Sequence, residues 1–162
     1  MNRAYKFRIY PTRKQEILIH KTFGCCRFVY NHMLADKKQA YEETKKTIKI
    51  TPAAYKKKHP WLKEVDSLAL ANEQLHLERA YRKFFGESKT GFPKFKSKHG
   101  SRKSYTTNVV NGNIRISEGK LRLPKTGTVK IRLHREIPAG WTLKSVTVSM
   151  DPSGKYYASL LF

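Results

Sequence analysis

The chain has 162 residues and carries 34 Lys and Arg against 12 Asp and Glu, a formal net charge of +22. This length suits one ordinary domain or two small lobes, and a hydrophobic content of 39% excludes a chain that is disordered throughout. No stretch approaches the roughly 20 apolar residues of a membrane-spanning helix, so a polyanionic partner best explains the charge, and nucleic acid is the first candidate.

The first predicted elements are a strand and a helical segment. Residues 3–9 alternate as a half-buried strand does, with apolar side chains on one face: Tyr5, Phe7 and Ile9. Thr12 and Gln15 form a capping box, which predicts that a helix begins there. Gly24 is predicted to break or bend that helix, giving a pair of helices that resembles a helix-turn-helix. Helical hairpins that bind nothing show the same pattern, so both interpretations stay open.

The middle of the chain is predicted to be helical and then irregular. Asp66 or Ser67 is a candidate cap for a helix that runs to about Phe85. We therefore assign residues 11–88 to a helical recognition lobe. Residues 89–104 are predicted to form a basic loop, because the cations between Lys89 and Lys103 have neither helical spacing nor a neighbouring acid.

Residues 105–162 are predicted to form short antiparallel strands separated by turns at Asn111-Gly112, Glu118-Gly119 and residues 151–154. On three successive strands the apolar residues alternate with cations: Arg115, Lys120, Arg122, Lys130 and Arg132. A solvated face usually mixes charges of both signs, yet acids are nearly absent here. We interpret this face as one that lies along a phosphate backbone.

The strand at residues 1–10 has no pairing partner nearby, because helices follow it. The simplest topology returns it to the C-terminal strands. The predicted fold is therefore α+β, a β-barrel built from residues 1–10 and 105–162 and interrupted by the helical lobe. The alternation from Tyr156 to Phe162 continues to the last residue, so we expect the chain to be a fragment of a longer protein.

The residues needed for catalysis or metal binding do not come together in the sequence. Cleavage of phosphodiesters by two metals requires clustered carboxylates, and the twelve acids are mostly isolated. The six histidines and two cysteines lack zinc-site spacing, and no glycine-rich phosphate loop occurs. We expect no catalytic residues, no metal, no cofactor and no small-molecule substrate. Adjacent Cys25 and Cys26 do not easily form a disulfide, which favours a reducing, cytoplasmic compartment.

Two segments combine aromatic side chains with polar or cationic ones. In Phe92-Pro93-Lys94-Phe95-Lys96 the rings are placed either to stack on bases or to anchor the loop on the helices. Arg27, Tyr30 and Asn31 are predicted to lie opposite the apolar Phe28 and Val29, available for RNA or for structural capping. The sequence leaves both choices open.

Together these segments resemble the TnpB (OrfB) proteins of small insertion sequences. The resemblance extends in order over nearly the whole chain, and it is carried by these stretches: Ala4-Tyr5-Lys6-Phe7-Arg8-Ile9-Tyr10-Pro11-Thr12, Gln15, Phe23-Gly24, Arg27-Phe28-Val29-Tyr30-Asn31, Ala80-Tyr81, Phe84-Phe85, Gly91-Phe92-Pro93-Lys94-Phe95-Lys96 and Leu123-Pro124-Lys125. Each stretch is loose alone, and their joint order makes the resemblance specific.

The resemblance implies the N-terminal half of an RNA-guided DNA endonuclease related to type V CRISPR nucleases. It implies a wedge-type barrel that grips the guide-RNA scaffold and a lobe that recognises a short motif beside the DNA target. The RuvC-like nuclease domain and the zinc element of the family are absent from these 162 residues. The chain is therefore expected to bind guide RNA and double-stranded target DNA as a monomer, on the nucleoid when bound to DNA, without cleaving.

Candidate contact residues follow from the cationic pattern and from the resemblance. The RNA candidates are Lys6, Arg8, Arg27, Tyr30, Asn31, Lys120, Arg122, Lys130 and Arg132. The DNA candidates are Ser67, Leu68, Ala71, Lys94, Lys96 and Asn111. For Asn111 a purely conformational role before Gly112 is an equal alternative. Two other functions remain open, a stand-alone helix-turn-helix regulator of DNA and a basic structural RNA-binding protein.

Overall fold

The computed structural model describes residues Met1–Phe162, which form three α-helices and seven strands. The helices are α1 (Arg13–Thr44), α2 (Ala53–Lys58) and α3 (Ser67–Gly86), with a 3₁₀ turn at Pro60–Glu64. The strands are β1 (Ala4–Tyr10), β2 (Lys103–Asn108), β3 (Arg115–Ser117), β4 (Lys120–Leu123), β5 (Gly127–Arg132), β6 (Ser145–Met150) and β7 (Tyr156–Leu161). The predicted α+β class is confirmed.

Two compact units make up the chain. The sheet unit comprises Met1–Phe23 with Arg102–Phe162, and the helical unit comprises Gly24–Ser101. The first strand therefore pairs with β5 and β7, which lie more than a hundred residues away in sequence.

All seven strands form one antiparallel sheet in the order β2-β6-β7-β1-β5-β4-β3. Strand β1 lies in the interior of the sheet, with Phe7 opposite Ala158 of β7 and Ile9 opposite Ile131 of β5. The prediction that the first strand returns to the C-terminal strands is confirmed. Phe7 and Ile9 are completely buried, and burial of such side chains stabilises by about 1.5–3 kcal/mol each.

The predicted closed barrel is wrong, because the sheet is open between β2 and β3. The Asn111-Gly112 turn forms with both φ angles positive, at 50° and 69°, but β2 pairs with β6 and β3 pairs with β4. The Asn113 side chain accepts from the Val110 amide and donates to the Asn108 carbonyl. These local bonds use backbone groups that a pairing between β2 and β3 would need, and β3 is only three residues long.

The first turns of α1 belong to the sheet unit and contact its apolar face. The predicted capping box is confirmed, since the Thr12 amide donates to Gln15 Oε1 at 2.9 Å and the Gln15 amide donates to Thr12 Oγ1 at 3.3 Å. Gln15 also donates from Nε2 to the Thr128 carbonyl at 2.7 Å, which ties the helix start to β5. Further along α1, the Phe23 ring packs 5.9 Å from Tyr105.

The helical unit is built around α3 and the part of α1 that follows Gly24. The predicted cap of α3 is confirmed: Asp66 Oδ1 accepts from the Leu68 amide at 3.0 Å, and the helix ends at Gly86. The apolar core includes Val29, Met33, Leu34, Leu62, Leu70 and Leu77. None of the helices combines the length and the apolar character that crossing a bilayer requires.

Gly24 was predicted to break or bend the helix, and the break is wrong, because α1 is a single helix of 32 residues. Gly24 is not among the residues with positive φ, and the flanking Phe23, Cys25 and Cys26 are buried. One glycine lowers helix stability by only about 1 kcal/mol, so the tertiary packing of its neighbours overrides that local preference.

Gly24→Ala is expected to raise the free energy of unfolding by about 0.4–1 kcal/mol, because alanine has fewer conformations to lose in the unfolded chain. An added Cβ at position 24 would come no closer than 3.9 Å to its nearest neighbour outside the helix backbone, the Arg27 Nη2 atom. Urea unfolding followed by circular dichroism measures the change.

Gly154→Ala is the matched control. A Cβ there has no neighbour within 4 Å, but φ is +88°, so this variant should lose about 1–2 kcal/mol of stability. If Gly24→Ala were less stable than the wild type, that result would contradict a continuous helix and would support the predicted turn at Gly24.

Candidate nucleic-acid interface

One face of the sheet carries the cations that the strand pattern predicts. The side chains of this cationic face alternate with the buried residues of β1, β3, β4 and β5: Lys6, Arg8, Arg115, Lys120, Arg122, Lys130 and Arg132. In all seven strands, the positions that share this face hold no Asp or Glu. The face therefore has no internal counter-charge.

The strand register places cations directly opposite cations. Arg8 pairs with Arg132, Lys120 with Lys130, and Arg115 with Arg122. Like charges opposite each other on neighbouring strands, about 4.8 Å apart, are destabilising. Three such pairs on one acid-free face lower the stability of the free protein, and an anionic ligand that spans several strands would remove that repulsion.

Aromatic rings hold two of these cations in place. The Arg8 guanidinium lies 4.8 Å from the Tyr10 ring and 5.9 Å from the Tyr157 ring, and the Lys6 ammonium lies 4.7 Å from Tyr157. Arg8 Nε is buried and has no hydrogen-bond acceptor. Arg8 as a whole is partly exposed, so its positive charge can still face a phosphate oxygen.

The same face changes from cations to hydroxyl groups on β2, β6 and β7. Its members there include four partly exposed residues, Ser104, Thr106, Thr147 and Ser159, and the buried Ser149. The Oγ1 atoms of Thr106 and Thr147 lie 2.8 Å apart. Hydroxyl groups are common donors to phosphate and sugar oxygens. Sequence reasoning missed them because they carry no charge, although the alternation Ser145, Thr147, Ser149 along β6 was a usable signal.

In the helical unit, Tyr30 and Asn31 make contacts within the protein. Tyr30 is buried with 6% of its surface exposed, and burial followed by the charge of Glu73 raises the pKa of its hydroxyl. Asn31 Nδ2 donates to the Lys96 carbonyl at 2.9 Å, and Asn31 Oδ1 accepts from the Lys96 amide at 2.8 Å. This favours the structural alternative for both residues. Arg27 is partly exposed.

Lys96 is fixed by its side chain as well. Its Nζ lies 3.5 Å from Glu73 Oε2 and 4.2 Å from the centre of the Tyr30 ring. The Glu73 carboxylate is nearly fully buried, and its other oxygen lies 3.4 Å from His76 Nδ1. Lys96 therefore anchors the basic loop to the helices, whereas Lys94 is exposed.

The two rings of the basic loop, Phe92 and Phe95, differ in their surroundings: one anchors the loop to the helices and the other is open for stacking on a base. Phe92 packs edge-on against Tyr81 and Phe84, with ring centroids 5.4 and 5.2 Å away, and so anchors the loop. Phe95 is 52% exposed and packs against no other aromatic ring, and Lys38 Nζ lies 5.2 Å from the centre of its ring. Phe95 thus keeps a face available for stacking.

The DNA candidates occupy accessible positions in both units. Ser67 and Ala71 are exposed and Leu68 is partly exposed, all at the start of α3. Asn111 is exposed in the sheet unit, where Asn113 makes the side-chain hydrogen bonds that fix the turn. The positive φ of Asn111 supports a conformational role, and its amide is still accessible for a base edge.

No three His, Cys, Asp or Glu side chains lie close enough together to hold a metal ion. Cys25 and Cys26 are buried and form no disulfide. Burial, with the nearby charge of Glu73 second, raises the pKa of Cys26 well above its ordinary value. A buried thiol that resists ionisation is a poor nucleophile, so Cys26 is a core residue.

Comparisons with known proteins agree with the sequence resemblance. A family model for OrfB proteins of the IS605 type, described as a helix-turn-helix domain, matches residues 1–46. A Streptomyces pristinaespiralis protein provisionally named RNA-guided DNA endonuclease is 35% identical over 171 residues, covering 99% of this chain and 41% of that protein. Virulence protein VsdF of Salmonella dublin is 40% identical over 115 residues, covering 62% of this chain and 97% of that protein.

The chain belongs to the OrfB (TnpB) family. A further relative, provisionally named RNA-guided DNA endonuclease InsQ, from Escherichia coli strain K12, is 32% identical over 166 residues, covering 97% of this chain and 39% of that protein. The chain thus spans about two fifths of the length of the two endonuclease relatives. In this OrfB member, the residues matched by the helix-turn-helix model form β1 and one uninterrupted helix.

Lys96→Met is expected to lower the free energy of unfolding by about 1–3 kcal/mol, because it leaves the buried Glu73 carboxylate without its cation. Lys94→Met, in the same loop, should change it by less than about 0.5 kcal/mol. Thermal or urea unfolding of both variants measures the difference. Equal effects would contradict the anchoring role of Lys96.

Lys120→Glu is expected to raise the free energy of unfolding by about 0.2–1 kcal/mol, because it converts a like-charged cross-strand pair with Lys130 into an oppositely charged one. Lys46→Glu removes the same net charge from an exposed, irregular segment and serves as the control. The gain should shrink in high salt. A loss of stability in Lys120→Glu would mean that the cations on this face do not repel one another.

Proposed function

We propose that the chain is the nucleic-acid-binding region of an RNA-guided DNA endonuclease of the OrfB family. In this proposal it is the N-terminal region, and the wedge-like sheet unit holds the guide-RNA scaffold. The single observation that carries the proposal is the acid-free cationic face with its three like-charged cross-strand pairs. The repulsion in these pairs is relieved when phosphates lie across β1, β5, β4 and β3.

RNA binding by the sheet unit would use both halves of the face. The seven cations would neutralise phosphates, and the partly exposed hydroxyl groups of β2, β6 and β7 would bond to ribose and phosphate oxygens. These contacts depend on backbone shape more than on base identity. A folded RNA scaffold of defined shape is therefore a better match than an arbitrary sequence.

DNA recognition is proposed for the start of α3 and for the turn at Asn111. Leu68 and Ala71 would contribute apolar contacts, for which thymine methyl groups are suitable partners, while Ser67 and Asn111 would form hydrogen bonds. Lys94 would contact a phosphate, since its side chain is exposed. Lys96, Tyr30 and Asn31 would support the loop from inside the helical unit.

Cleavage is proposed to depend on residues outside these 162. The names of the two longer relatives include the word endonuclease, and the chain spans about two fifths of their length. The absence of a helix break at Gly24 weakens the alternative of a helix-turn-helix regulator, because that alternative rested on two helices joined at this glycine.

Lys130→Gln combined with Arg132→Gln is expected to weaken RNA binding and to leave the fold intact, because both side chains are exposed. In a plot of log affinity against log salt, each lost phosphate contact removes about 0.7–0.9 from the slope, so the slope should fall by about 1.4–1.8. Fluorescence anisotropy over a salt series measures it.

The control, Lys57→Gln with Lys58→Gln, removes the same charge from exposed positions of α2. It should change the slope much less. The RNA encoded beside this chain's own gene should bind more tightly than a scrambled RNA of equal length. Equal affinities for the two RNAs would contradict specific recognition of a guide RNA. Equal slopes for the two variants would contradict the role of the cationic face in RNA binding.

A further inference from the structure

The helical unit contains an open cavity of about 640 Å³ that none of the assigned contacts uses. It is lined by residues from the second half of α1, the end of α3 and the segments that follow these helices. Five aromatic side chains form its walls: Tyr41, Tyr81, Phe84, Phe85 and Phe92. The volume lies within the range of about 300–1,000 Å³ that is typical of small-ligand sites.

The rings of this aromatic cavity support each other but remain accessible. Tyr81 and Phe85 are nearly parallel at 20° with centroids 6.4 Å apart, and Phe92 stands at 90° to Tyr81. Phe85 is 76% exposed and Tyr41 is 52% exposed. Flat rings whose faces are open and whose positions are fixed by neighbours are suited to stacking against another planar group.

Cations surround these rings. Lys37, Lys38 and Arg82 line the cavity together with two acids, Glu42 and Glu78. Lys45 adds a further cation, with its Nζ 5.7 Å from the Tyr41 ring. An occupant that fits must offer a planar apolar surface next to negative charge, which is the chemistry of an unpaired nucleotide.

We propose that the aromatic cavity binds an unpaired nucleobase, stacked on Tyr41 and Phe85, while Lys38 and Arg82 hold the flanking phosphates. This inference rests on the proposed function and extends it, because the cationic face requires only a phosphate backbone whereas the cavity requires a base outside a duplex. The base comes either from a single-stranded part of the RNA or from a displaced DNA strand, and both present the same chemistry.

Tyr41→Ala with Phe85→Ala in the full chain tests the cavity. The probes are a single-stranded RNA, a single-stranded DNA of the same sequence, and a blunt RNA duplex of the same length, all at one salt concentration. The variant should bind the single strands about 5- to 100-fold more weakly and the duplex as the wild type does. Both side chains are exposed, and thermal unfolding together with the single variant Phe85→Ala checks that the fold is retained.

Two further variants distinguish stacking from simple apolar contact. Phe85→Trp should retain single-strand binding and Phe85→Leu should weaken it, because only the former keeps an aromatic face at position 85. Leu75→Ala, an exposed apolar residue of α3 outside the cavity, is the control and should have no effect. A 2-aminopurine in the single strand should lose fluorescence on binding to the wild type and lose less on binding to Tyr41→Ala with Phe85→Ala.

Each result has one consequence. Weaker binding of RNA alone, of DNA alone or of both single strands supports the cavity and identifies the source of the base. An unchanged variant, an equal loss for the duplex, or full binding by Phe85→Leu overturns the inference, and the last result would indicate an apolar protein side chain as the occupant. If the inference is overturned but the variant Lys130→Gln with Arg132→Gln still binds RNA more weakly than the wild type, the proposed function is supported without the cavity. If the wild type binds no probe, both fail.

Discussion

The fold depends on the pairing of β1 with strands from the far end of the chain. Strands β2, β6 and β7 form one group and β5, β4 and β3 another, and β1 is the strand that joins them. Closing this pairing brings together segments separated by more than a hundred residues, which is entropically costly, and the complete burial of Phe7 and Ile9 offsets that cost. The same strand presents Lys6 and Arg8 on its opposite face. The interaction that completes the core of the sheet unit therefore also joins, on one face, the cations of β1, β3, β4 and β5 to the hydroxyl groups of β2, β6 and β7.

What could be predicted from the sequence was mostly local. The first strand, the caps at Thr12 and Asp66 and the positive-φ turns each depend on a few neighbouring residues, and all are found in the structure. The predicted helix break at Gly24 was wrong because tertiary packing of the neighbouring residues keeps the helix continuous. The predicted closed barrel was wrong because the edge strands β2 and β3 do not pair. Alternation along a strand reveals which residues share a face, but it does not reveal which cation lies opposite which. The like-charged pairs therefore became visible only with the strand register.

The helical unit shows why composition alone misassigns cations. Lys94 and Lys96 are two residues apart in the same basic loop, yet one is exposed and the other contacts the buried Glu73 carboxylate. The partners of Lys96 are distant in sequence, since Asn31 is 65 residues away. A buried carboxylate in so basic a chain requires a cation beside it, so part of the positive charge maintains the structure. The remaining exposed cations are the ones available to a polyanion.

Salt acts on the cationic face in two opposite ways. In the free protein, added ions screen the repulsion within the three like-charged pairs and so stabilise the sheet. In a complex with nucleic acid, added ions reduce the gain from releasing condensed counterions and so weaken binding. A surface with charges of both signs would show neither salt effect strongly, because its acids already neutralise its cations. A face that is less stable when free and more stable when covered couples folding to binding, since a ligand that binds the folded state stabilises it. The acid-free face therefore agrees with the proposed role of the sheet unit in binding a polyanion.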